Sequence, residues 1–218
     1  MTALLHAGRP RPAAPTARSL VVGGRAVRWA ARSGPSIGTP AGARRLAEDL
    51  VAAVAGLPAD AVRVATLLPS GRPVAMRGPA RMPVAVSLTH VAGFVAAAAS
   101  DAVPGVGVDA VDTAAPASTL EWWFDRCERR FAAATSPQHV WGAKEAAFKA
   151  AGIDGHFRPL GVTVRADGAD GFRWHLVDRW RSACGAGRFV TVGRWLVAVA
   201  VRAGSPPEGP VSGRVGCS

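Results

Sequence analysis

Residues 141–150 read WGAKEAAFKA and contain Lys144 and Lys149, the only lysines in the chain; the other 24 of its 26 Lys+Arg residues are arginine. A lysine ammonium is a compact, mobile point charge, whereas a guanidinium is a broad planar fork. Lysine in so arginine-rich a chain therefore suits contact with phosphate oxygens or a leaving group. Glu145 and Lys149 stand four residues apart and share a helical face, with Trp141 and Phe148 placed to pack inward. The same spacing also suits an ordinary surface ion pair, which stabilises a helix by only about 0.2–0.5 kcal/mol.

A second acidic element, GVGVDAVD at residues 105–112, puts Asp109 and Asp112 at the end of a short apolar strand whose glycines permit close backbone approach. An acid there either caps the following turn or joins Glu145 in offering hard oxygens to Mg²⁺. That ion takes one or two protein carboxylates and completes its octahedron with water and phosphate. Two carboxylates and an ammonium together suit phosphoryl transfer, the metal taking charge and the ammonium meeting the oxygens. Thr89 and His90 close the segment VSLTH, where His90 is either structural or a donor to a phosphate at a strand end. Arg72, in the tight turn SGRP, is a usable anion contact.

The elements that must carry these residues follow from periodicity and punctuation. Leu46, Leu50 and Val54 form an i, i+4, i+8 stripe that predicts a first helix ending at Gly56. A second helix is expected over residues 117–134. A third starts with Ser136 as N-cap and Pro137 in the first turn, and stops at Gly152. Strands are expected at 20–22, 27–30, on both sides of the PSG turn, at 83–90, 93–100 and 105–112, and then at 161–165, 172–178, 189–192 and 195–202. Consecutive strands joined by short turns favour antiparallel pairing and an α+β class. The expected organisation is a basic Pro/Arg-rich segment at 1–40, flexible or part of the first half. An N-terminal half follows at 41–103, then a C-terminal half at 104–202 carrying the acidic and lysine motifs, and a flexible tail at 203–218.

With 218 residues and 49% hydrophobic composition the chain can bury a substantial core. Its net charge of +11 is uneven, because residues 1–40 hold six arginines and no acid. Such an arm suits nucleic acid, a membrane surface or an anionic ligand, or is merely solvated. Cys127, Cys184 and Cys217 are widely spaced with no CxxC pair, which argues against a zinc site or a disulfide framework and fits a reducing cytosol. MTALLHAGRPRP lacks the apolar run of a signal peptide, and VAVSLTHVAGFVAAAAS is interrupted by Thr89, His90 and Gly93, so a soluble, cytoplasmic protein is expected.

GVD at 107–109 followed by WGAKEAAFK at 141–149 resembles the paired signature of the 4′-phosphopantetheinyl transferases of the surfactin-synthetase type. GRP at 71–73, VSLTH at 86–90 and FDRCE at 124–128 resemble weaker family segments in the same order, the last ending in a Glu near the active site, and the likeness spans about residues 41–202. It implies a fold of two similar, pseudo-twofold-related halves, each an antiparallel sheet with helices. It also implies transfer of phosphopantetheine from coenzyme A to a serine of an apo acyl or peptidyl carrier protein, with Mg²⁺. On that resemblance Asp109 and Glu145 hold the metal, and Glu145 also helps remove the serine proton. Lys149 meets the diphosphate, while Arg44, Arg72, Thr89 and His90 hold phosphates. Lys144 falls toward the nucleotide or the surface.

The sequence departs from the family where many relatives carry a third acid two residues after the Asp. Here that position is Val111, and Asp112 one further on faces the other side of a strand. Water is expected in place of the missing ligand, with Asp112 in an outer role, and an inactive carrier-binding relative is one alternative. A basic nucleic-acid-binding module is the other, although no recognition signature supports it. The expected partners are therefore a carrier protein and coenzyme A, with no nucleic acid and no membrane. Two paired halves favour a monomer over a trimer.

Overall fold

A computed structural model describes residues 17–34, 37–116, 119–153, 155–178 and 181–204. The architecture is α+β, with three antiparallel sheets and three α-helices among the described residues. The first sheet takes its strands from the beginning and end of the first hundred residues, in the order β1 (Arg18–Val22), β2 (Arg25–Ser33), β7 (Phe94–Ser100), β6 (Ala85–Val91). The second is built wholly from later residues, in the order β8 (Val106–Asp112), β12 (Trp195–Arg202), β11 (Arg181–Val192), β10 (Gly171–Asp178), β9 (Val162–Ala166). A small sheet of β3 (Arg63–Leu67), β4 (Arg72–Arg77) and β5 (Ala80–Arg81) completes the fold.

Alternation along the strands creates the layers. Phe94, Ala96 and Ala98 of β7 and Trp195, Val197 and Val199 of β12 meet in one core between the two large sheets. The intervening residues Val95, Ala97 and Ala99 turn outward to Leu46, Leu50 and Val51 of α1 (Pro40–Ala55). Ala198 and Ala200 turn outward to α3 (Pro137–Ala151). The order is thus helix, sheet, sheet, helix. Thr39 caps α1 by accepting from the Gly42 N–H, and Gly56 closes it with φ 64°.

The single helix expected over 117–134 is instead a short 3-10 turn at Leu120–Trp123 and a separate α2 at Arg126–Ala134. Its first two residues lie outside the described residues. The break has a local cause: the Asp125 carboxylate accepts from the Glu128 N–H at 2.8 Å, and the Glu128 carboxylate accepts from the Asp125 N–H at 2.9 Å. This reciprocal pair starts a new helix at Arg126. Strands β2 and β11 run longer than expected, β5 was not anticipated, and Asp109 lies within β8 rather than at its end. Residues 1–16 of the expected basic arm and residues 205–218 of the expected tail lie outside the described residues, while Arg18–Val22 and Arg25–Ser33 of that arm form β1 and β2.

Cys184 is an exposed free thiol, and Cys217 lies outside the described residues. Among the described residues no helix is long and apolar enough to cross a membrane.

Candidate active site

The pleat of β8 aims its acid. Val106, Val108 and Ala110 enter the core between the sheets, so Gly107, Asp109 and Val111 face the opposite way, toward α3. The fit is close: a Cβ at Gly107 would collide with the Ala146 carbonyl of α3, and one at Gly142 would lie 3.3 Å from a Val111 methyl. Because β8 presses on α3, Asp109 meets side chains about forty residues away in the chain. Lys149 Nζ donates to Asp109 Oδ1 at 2.7 Å and to the Val108 carbonyl at 3.1 Å. The Thr89 hydroxyl donates to the same Asp109 oxygen at 3.3 Å. Glu145 and Trp141 line the same cleft as Asp109, near enough for Asp109 and Trp141 both to act on the Glu145 titration.

Asp109, Glu145, Lys149, Thr89 and His90 therefore line one cleft of about 690 Å³. Asp109 is buried at 5% exposure, while His90 is exposed at the rim. Burial pushes the Glu145 pKa up from 4.5 to about 7, the Asp109 charge adds to the rise, and Lys149 opposes it. Two carboxylates in contact face a single ammonium, so the cluster favours either a proton on Glu145 or a further cation. Among the described residues no group of three His, Cys, Asp or Glu side chains could hold a metal ion. Asp109 and Glu145 together offer a pair of hard oxygens, a donor type that suits Mg²⁺ when water and phosphate complete its shell.

Val111 stands on the Asp109 face of β8, where it packs against Gly142. Asp112 has the opposite parity. Its carboxylate lies 3.1 Å from Arg194 and accepts from the Ala114 N–H at 3.0 Å, so it turns to the hairpin and the following turn rather than to Asp109.

Arg44 and Arg72 do not stand with the acids. They line an adjoining groove of about 290 Å³ with Arg81, Thr66 and Ser87, and this groove shares Leu88 and Lys149 with the cleft. Arg44 Nη2 lies 3.4 Å from the Thr66 hydroxyl, and Arg72 donates across the fold to the Gly152 carbonyl at the end of α3. Lys149 is the charged residue common to the carboxylate pair and the arginine-lined groove.

Two residues, Arg81 and Ser87, escaped the sequence reading, and two others, Glu128 and Lys144, lie elsewhere than expected. Arg81 in β5 lines the groove, and no motif marks it. Ser87 Oγ accepts from the buried Val108 N–H at 3.1 Å, joining β6 to the edge of β8. Glu128 and Lys144 form a buried ion pair at 2.8 Å, each side chain 1% exposed. Glu128 therefore lies inside the C-terminal core, and Lys144 is neither at the surface nor at the groove. The D-x-x-E spacing from Asp125 was a legible signal for the first of these. No protein-family model matches this chain, and no curated protein matches it in sequence.

Proposed function

We propose that the chain transfers the 4′-phosphopantetheine group of coenzyme A to a serine of an apo acyl or peptidyl carrier protein. The carrying observation is convergence: a carboxylate pair and Lys149 share one cleft, and Lys149 also borders a groove lined by Arg44 and Arg72. The groove is suited to the anionic nucleotide end of coenzyme A, and the cleft to its diphosphate. The strand orders support the same reading, since each large sheet places a late strand, β7 or β12, beside an early one, β2 or β8, after a helix has crossed between them. Such an arrangement is compatible with the pseudo-twofold pattern that the resemblance implies.

In this reaction the serine oxygen forms a bond to the β-phosphorus, the bridge to the α-phosphate breaks, and 3′,5′-adenosine bisphosphate leaves. Glu145 helps to remove the serine proton, directly or through water. Lys149 offers N–H donors to the diphosphate oxygens, while Thr89 orients Asp109. Mg²⁺ held by Asp109 and Glu145 would supply charge neutralisation at the diphosphate.

The test is intact-mass measurement of an apo carrier protein incubated with the chain, coenzyme A and Mg²⁺. Asp109→Ala and Glu145→Ala should each reduce transfer by roughly 100-fold or more, and Lys149→Ala by a comparable factor. Wild-type rates in either carboxylate variant would overturn the proposal. The alternative of a non-catalytic carrier-binding relative rests on Val111, and carrier binding without any mass gain would favour it.

A further inference from the structure

Lys144 makes three hydrogen bonds in the core of the second half. Its ammonium lies 2.8 Å from Glu128 Oε1, donates to the Pro159 carbonyl at 2.9 Å, and donates to the Val162 carbonyl. Three N–H groups thus meet three acceptors on α2, on the segment after α3, and at the start of β9. Glu128 is equally occupied, accepting the Val164 N–H at 2.9 Å and the Asp125 N–H besides Lys144. A flat guanidinium cannot direct three donors from one atom toward acceptors on three separate elements. On α3, Glu145 follows Lys144 by about 100° of rotation, and Lys149 lies about 140° around from it.

We infer that Lys144 is a positioning residue, fixing α3 in the one rotation that turns Glu145 and Lys149 toward Asp109. The inference rests on reading the Asp109–Glu145 cleft as the functional site. A spectroscopic readout keeps its test separate from that reading. Trp141 lines the same cleft as Glu145, one helical turn before it, and stands close enough to bear on its titration, so its indole ¹H–¹⁵N resonance, assigned by its loss in Trp141→Phe, reports the surroundings of Glu145.

Lys144→Arg and Lys144→Met should each move that resonance and lower Tm by about 10 °C. Val51→Ala, in the distant α1 core, should lower Tm and leave the resonance in place. Where a single variant fails to fold, Lys144→Met/Glu128→Gln leaves no unpaired buried charge and carries the same readout. In folded variants kcat for transfer should fall on the order of tenfold or more, with KM for coenzyme A held within about twofold. An unmoved Trp141 resonance in the folded Lys144 variants overturns the inference, whatever their Tm. A wild-type chain that transfers nothing overturns the proposed function alone, and the resonance still decides the role of Lys144.

Discussion

Glu145 carries the most informative single titration in the molecule. Its carboxyl is held near pH 7 by burial and by the neighbouring Asp109 charge, against 4.5 for an ordinary Glu. Between those two values the folded chain keeps a proton that the unfolded chain releases, so stability falls as pH rises through that window. Thermal melts in the absence of divalent cations should show Tm declining from about pH 5 to pH 8, and Glu145→Gln should flatten the slope. Because metal binding must displace the same proton, Mg²⁺ affinity should rise about tenfold between about pH 6 and pH 8. Titration calorimetry at the two pH values reads this directly, and pH-independent affinity would exclude Glu145 as a ligand.

The decisive relation between elements is the contact of β8 with α3. Gly107 allows it, because the α3 backbone at Ala146 and Ala150 occupies the space a Cβ would need. Gly107→Ala must push helix and strand apart, with an expected loss of about 3 kcal/mol and a Tm drop of about 9 °C. The same displacement separates Asp109 from Lys149, so transfer should fall by more than the lost stability explains. Ala200→Gly, on the neighbouring strand β12 and facing α3, supplies the comparison: it loosens packing without forcing the helix outward. Equal activity in the two variants would show that the close approach of β8 to α3 has no bearing on the cleft.

At the scale of the molecule, two sheets from opposite halves of the chain meet along β6 and β8 through side chains. Ser87 satisfies the Val108 N–H, and the Val108 carbonyl in turn accepts from Lys149. Ser87→Ala leaves that buried N–H without its partner, at a cost of about 1–3 kcal/mol, so a Tm loss of about 5 °C is expected. Ser87→Thr keeps a hydroxyl and should recover much of it. Equal melting of the Ala and Thr variants would show that the hydroxyl does not hold the seam. Arg72, reaching from the β4 turn to the Gly152 carbonyl, ties the halves together at the other side of Lys149.

Local chemistry was legible because it is written in local signals. The C-terminal bounds of α1 and α3 follow from Gly56 and Gly152, and α3 begins after Ser136 as expected although the Ser136 hydroxyl pairs with the His139 ring instead of capping the helix; the identity of the acids and lysines was open to inspection in the sequence. The capping box that divides residues 117–134 was written there too, and a continuous helical period masked it. What periodicity could not decide was rotation and parity between elements distant in sequence. Lys144 and Lys149 share one helix, yet the first is sealed against Glu128 and the second faces Asp109. Only the packing of α3 onto β8 and β12 selects between them, because the depth of each side chain depends on which face of the helix the sheets cover.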